Sequence, residues 1–113
     1  MSDCVFCGIA AGDVPAEVVA SDDEFVAFRD RRPRAPVHLL VVPRRHLASL
    51  DEIGRLDDAA AGRLLAFVAA VAREAGVAES GFRVVANTGA DGGQEVGHLH
   101  WHVIGGARLG GMA

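Results

Sequence analysis

Apolar and polar positions recur along this chain at spacings that divide it into short elements. Val5 to Ala10 predicts a short N-terminal helix, with Phe6 and Ile9 one turn apart and Pro15 beyond its end. Glu17 to Ser21 and Glu24 to Asp30 are β-prone runs separated by Asp22-Asp23, a hairpin signal. In the second run Val26, Phe28 and Asp30 share a face, because side chains alternate along a strand. Asp30 to Pro36 is a loop, stiffened by two prolines and carrying four charges that demand water. Val37 to Val42 reads as a strand whose one polar side chain is His38, and Pro43-Arg-Arg-His46 ends it. Leu56 to Gly76 predicts a long helix. Asp57 or Asp58 caps its start, and Gly76 stands where a left-handed residue closes a helix. Its stripe of Leu64, Phe67, Val68, Val71, Ala72 and Ala75 has the spacing of a buried face. Phe82 to Asn87 is a strand, Thr88 to Gly97 a loop with four glycines, and His98 to Ile104 a last strand. Strands before and after one long helix imply an α+β layer with the helix on one sheet face.

Composition narrows the class. The 113 residues make a single domain, spanning 1–113, and half of them are apolar. The net charge of −4 argues against a chain that lives on a nucleic-acid backbone. All eleven bases are Arg, which reads as compositional bias. The longest strongly apolar run, Leu64 to Ala72, is far short of the roughly twenty residues that cross a membrane. The first residues carry an acid and no base, unlike a secretory signal. Two cysteines three apart suggest a reducing compartment, hence a cytoplasmic protein, and a metal or redox role.

The chemistry is concentrated in Gly97-His-Leu-His-Trp-His-Val-Ile104. A period of two puts His98, His100 and His102 on one face at intervals of about 6.8 Å. Leu99, Trp101 and Val103 face the other way and can pack under the long helix. Imidazoles suit nucleophilic and acid–base work at neutral pH. The alternatives are a solvent-facing His-rich strand or one end of a metal site. A three-His site from this strand alone is excluded by reach, since the outer rings lie roughly 13 Å apart. The loop Asn87-Thr-Gly-Ala-Asp-Gly-Gly-Gln94 beside it reads as a phosphate cradle, because glycines let backbone N–H groups approach an anion.

With Cys4-Val-Phe-Cys7-Gly-Ile9, Phe28-Arg-Asp30, Ala35-Pro-Val-His38, Val42-Pro-Arg-Arg-His46 and Asp91-Gly-Gly-Gln-Glu-Val96, this strand resembles the histidine-triad (HIT) superfamily. The likeness is closest to its Hint branch of nucleoside phosphoramidases and covers roughly Cys4 to Gly106. The signature His-φ-His-φ-His-φ-φ, with φ apolar, is met in full by His98 to Ile104. The resemblance implies an antiparallel sheet of about five strands. It implies hydrolysis of the P–N bond of purine nucleoside phosphoramidates through a nucleotidyl-histidine. His100 would be the nucleophile, its other ring nitrogen donating to a backbone carbonyl of the same segment. His102 would contact phosphate and help proton transfer to the leaving amine, with His38 extending that group. Asn87 and Gly93, Gln94, Glu95 and Val96 would line the phosphate site, and Asp30 would accept the ribose hydroxyls. Val5, Phe6, Ile9, Val14 and Phe28 would form a slot for the base. Many Hint enzymes have Ser where Glu95 stands, and residues 105–113 lack the aromatic tail of the eukaryotic type. Leaving-group preference is therefore not carried over.

By the same resemblance a structural zinc ion would be held by Cys4, Cys7, His46 and His98; otherwise the two cysteines are simply buried thiols. Relatives form homodimers through the long helix and an adjoining strand, and Leu65 beside Leu64 is compatible with a second packing partner. Two further functions fit the same motif: a dinucleoside polyphosphate hydrolase, and a nucleotide-binding regulator. A nucleotidyltransferase fits less well, because those relatives carry Gln at the third triad position. The six arginines from Arg29 to Arg45 could steer polyphosphate but read more simply as a solvated loop.

Overall fold

The computed structural model describes residues 4–111. Met1 to Asp3, on which the reading of the N-terminus partly rests, and Met112 and Ala113 lie outside the described residues. The elements are α1 (Val5–Ala11), β1 (Val18–Ser21), β2 (Phe25–Arg29), β3 (Val37–Pro43), a 3₁₀ helix at Leu50–Arg55, α2 (Asp58–Glu74), β4 (Phe82–Val85) and β5 (Trp101–Gly105). The five strands form one sheet in the order β1-β2-β3-β5-β4. Every pairing is antiparallel. The expected α+β architecture is therefore the observed one.

Alternation along the strands gives the sheet two different faces. Phe25, Ala27, Leu39, Val41, Leu99, Trp101 and Val103 point to one side and pack against Leu64, Val68, Val71 and Ala72 of α2. Val26, Phe28, Leu40 and Val42 point to the other and receive Phe6 and Ile9 of α1. Each buried side chain of this size contributes about 1.5–3 kcal/mol, so α2 carries the larger share of the packing. The Asp57 carboxylate accepts the Ala60 N–H at 2.7 Å to start α2, and Gly76, at φ 81°, closes it. Phe67 and Ala75, predicted in the buried stripe, sit at its half-buried margin.

Two local features differ from expectation. The 3₁₀ helix went unread although Ser49-x-x-Glu52 has the form of a capping box. Ser49 caps it through the Asp51 N–H, and Glu52 reaches back to the Ala48 N–H at 2.6 Å. The last strand begins at Trp101 rather than His98, because its partner runs out. Pro43 has no N–H to offer, and its carbonyl is taken by the His98 ring at 2.8 Å. Leu99 N–H turns instead to the Leu47 carbonyl at 2.7 Å. His98 and His100 thus lie just before the ladder, held by bonds that a regular strand would not make.

Candidate active site

The face opposite α2 carries a cavity of about 690 Å³ bounded by α1, β2, the loop after β2 and the loop before β5. Its floor is apolar, from Val5, Phe6, Ile9, Phe28 and Leu40. Asp30, Asn87, Gly93, Glu95 and Val96 form walls, and His100 and His102 are exposed to it between them. The Phe6 ring stands edge-on to Phe28 and to His100, at centroid distances of 5.4 and 5.1 Å. Leu40 was not read as a site residue, yet it follows His38 by two on β3 and so shares its face.

A carbonyl oxygen can only accept, so ring tautomers follow from the hydrogen bonds. His100 Nδ1 lies 2.8 Å from the His98 carbonyl and must donate to it. The lone pair of the neutral ring is therefore on Nε2. His38 Nδ1 accepts the backbone N–H of Arg34 at 3.0 Å, so the proton of neutral His38 is on Nε2. That atom lies 2.9 Å from His102 Nδ1 and 3.3 Å from Asp30 Oδ2. His102 Nδ1 thus accepts, and its own proton is on Nε2. Adjacent rings of one segment present opposite faces: His100 a lone pair, His102 a donor. Burial, with His100 and His38 close by, pushes the His102 pKa down to about 4. His38 is lowered too, by burial against the opposing pull of Asp30. Both rings are neutral at physiological pH.

The glycine loop is shaped by its own bonds. Asn87 Nδ2 donates to the Gly92 carbonyl at 2.7 Å, and a Cβ on Gly92 would meet the Thr88 carbonyl oxygen at 2.3 Å. Only glycine fits that approach. Two expected site residues lie elsewhere. Gln94 is not on the cavity wall: Nε2 donates to the Ala48 and Val96 carbonyls and Oε1 accepts the Gly89 N–H. A primary amide can satisfy three backbone groups at once, and here it clamps the loop. Val14 packs at the margin of the α1 cluster, against Gly8, where a Cβ would meet Val14 Cγ2 at 2.5 Å. It supports α1 from outside the slot.

A second cluster lies behind α1. One ligand atom from each of Cys4, Cys7, His46 and His98 lies within 4.8 Å of all the others. Cys4 Sγ is 3.2 Å and Cys7 Sγ 3.5 Å from His98 Nδ1. His46 Nδ1 is 3.3 Å from Cys7 Sγ and 3.1 Å from His98 Nδ1. Because His98 Nε2–H donates to Pro43, its Nδ1 carries a lone pair toward the sulfurs. A tetrahedral zinc with two sulfur and two nitrogen ligands needs donor separations of about 3.3–3.8 Å, and imidazole ligands commonly donate their far N–H to a carbonyl. The donor set fits such an ion. Asp30, His38 and His102 also lie within 4.8 Å of one another. That set does not fit, since the His38 nitrogen facing the others bears a proton.

Comparison with known proteins follows the same lines. A model of the HIT domain matches residues 11–109. The chain is 37% identical over 110 residues to the purine nucleoside phosphoramidase of Escherichia coli strain K12, covering 97% of this chain and 92% of that protein. A solved histidine triad protein from Clostridium difficile is similar at a TM-score of 0.92 and 42% identity, covering 100% of this chain and 98% of that one. A HIT family hydrolase from Legionella pneumophila is similar at 0.90 and 41%, covering 96% of each chain.

Proposed function

The chain belongs to the HIT domain family, and from that premise we propose that it hydrolyses the P–N bond of purine nucleoside 5′-phosphoramidates through a nucleotidyl adduct on His100. The observation that carries this reading is the His100 Nδ1–H bond to the His98 carbonyl, which in the neutral ring puts the lone pair on Nε2, at the cavity. The apolar floor accepts the flat base, and Asp30, whose Oδ1 already accepts the Arg32 N–H at 2.8 Å, faces the ribose. The Nε2 lone pair bonds to phosphorus as the P–N bond breaks. The nitrogen, protonated from solvent, leaves as an amine while the His102 Nε2–H donates a hydrogen bond at the phosphoryl group. In the second step water attacks phosphorus, the P–His100 bond breaks, and the water's proton returns to solvent. Splitting one displacement in two suits a group that both attacks and leaves well.

Cys4, Cys7, His46 and His98 are the residues that would hold zinc. Four protein ligands leave no open position, so bound zinc supplies a cross-link between α1 and the sheet. We also infer a homodimer. β4 is an edge strand bearing the exposed Phe82 and Val84, and Leu65 of α2 is 58% exposed. Covering these side chains with a second copy would remove apolar surface from water. Light scattering should give twice the chain mass.

The deciding measurement is turnover of adenosine 5′-phosphoramidate and of diadenosine tetraphosphate by wild type and His100→Ala. Wild type should strongly prefer the P–N substrate, and the variant should lose nearly all activity. Rapid quenching under denaturing conditions should trap an acid-labile nucleotide on His100. Equal turnover by both proteins, or no adduct, overturns the mechanism; preference for the tetraphosphate favours a dinucleoside polyphosphate hydrolase.

A further inference from the structure

Six charged side chains line the cavity: Glu17, Arg29, Asp30, Arg31, Arg34 and Glu95. Glu17 and Arg29 form an ion pair. Asp30 is engaged by the Arg32 N–H and by His38. The guanidinium groups of Arg31 and Arg34 and the carboxylate of Glu95 have no ion-pair partner among the described residues. These free charges are segregated by sign. Arg31 and Arg34 belong to the loop between β2 and β3, at the end of β5 where Ile104 pairs with His38. Glu95 belongs to the loop that enters β5 from its opposite end, three residues before His98. Along the segment from Glu95 to Gly105, His100 and His102 lie between the two ends.

The nucleoside end is marked by the apolar floor and Asp30, beside the arginines. A displacement by His100 expels the leaving group on the line opposite Nε2, away from the ring that attacks. The wall not used by the nucleoside or by the two histidines is supplied by Asn87, Gly93, Glu95 and Val96. Glu95 carries its one charge. A carboxylate there attracts a cationic leaving group and repels an anionic one.

We propose that Glu95 selects the leaving group, so that the preferred substrates are purine nucleoside phosphoramidates whose amine bears a second positive charge, as in a diamine. This rests on the P–N hydrolase reading and narrows it. The arginine end lies beside the nucleoside and the Glu95 end matches a cation, so the complementary substrate is positive on its amine side. A polyphosphate leaving group meets the wrong sign.

The test uses three adenosine phosphoramidates of nearly equal size, made from butylamine, 1,4-diaminobutane and 4-aminobutanoate. Wild type should show kcat/KM in the order diamine, butylamine, aminobutanoate, with about tenfold or more between the ends at low salt, shrinking as salt screens the carboxylate. Glu95→Gln should bring the ratio close to one, and Glu95→Lys should invert it. Equal ratios in wild type and both variants overturn the proposal. Binding of the same three compounds to His100→Ala reads the selection without turnover. Ordered binding with no wild-type hydrolysis would remove the P–N reading and keep the role of Glu95. Hydrolysis without ordering would do the reverse.

Discussion

Among the described residues are two clusters, each built around a pair of histidines and wired in opposite senses. In Asp30–His38–His102 the Arg34 N–H fills His38 Nδ1, which forces a proton onto the nitrogen facing its partners. In Cys4–Cys7–His46–His98 the Pro43 carbonyl takes the His98 Nε2–H, which turns a lone pair toward the partners. One backbone donor leaves a proton between the rings; one backbone acceptor leaves a lone pair facing the sulfurs. The paired imidazoles and their proximity do not distinguish them. The far side of each ring does.

The two clusters meet in one residue. His98 points its ring into the sulfur set, and its carbonyl receives the His100 Nδ1–H. Phe6, one residue from Cys7 on α1, stands edge-on to His98 and His100. Disturbing the sulfur set should therefore reach the nucleophile, whereas disturbing His102 should not reach the sulfur set.

The largest effect expected is on His102→Ala, which removes the donor beside the nucleophile. Turnover of adenosine phosphoramidate should fall about 10²–10⁴-fold, with metal content by elemental analysis unchanged; lost metal would mean the clusters are not separate. Next comes His46→Ala, at an exposed ring outside the cavity. Bound zinc should drop from about one ion per chain to below about 0.2, with a melting temperature lower by several degrees. Turnover should fall by roughly tenfold through His98 and Phe6, and a variant that loses metal at full activity would break the link. The smallest effect is on pH. His102, buried and packed against His100 and His38, is lowered to about 4, whereas in the unfolded chain it titrates near the ordinary imidazole value of 6.5. The unfolded state binds more protons between these values, so stability is full above about 6.5 and declines as pH falls toward 4. Thermal melts of metal-free protein from pH 7 to 4 should show the decline, and His102→Ala should make it shallower, the rest coming from His38 and His98, which burial also lowers.

Much of the site was legible because the sheet imposes a period of two. That rule placed Val26, Phe28 and Asp30 together and sent Leu99, Trp101 and Val103 under α2. It did not reveal Gln94, whose amide clamps the loop that a phosphate cradle needs, or Val14, which braces α1 through Gly8. Both have the residue type and neighbourhood of site residues. Their orientation depends on loop geometry with no repeat. The start of β5 was misplaced for a related reason, since a strand pattern does not say where its partner stops donating.

The sequence by itself determined the α+β layer, the side of each strand and the set of histidines on one face, because alternation and helical spacing are local rules. Only the tertiary structure decided on which nitrogen each neutral ring carries its lone pair. That choice rests on the Pro43 carbonyl, brought from a distant segment, and on the Arg34 N–H and the His98 carbonyl, four and two residues from their rings, and a backbone N–H or carbonyl looks the same at every position until the chain has folded around it.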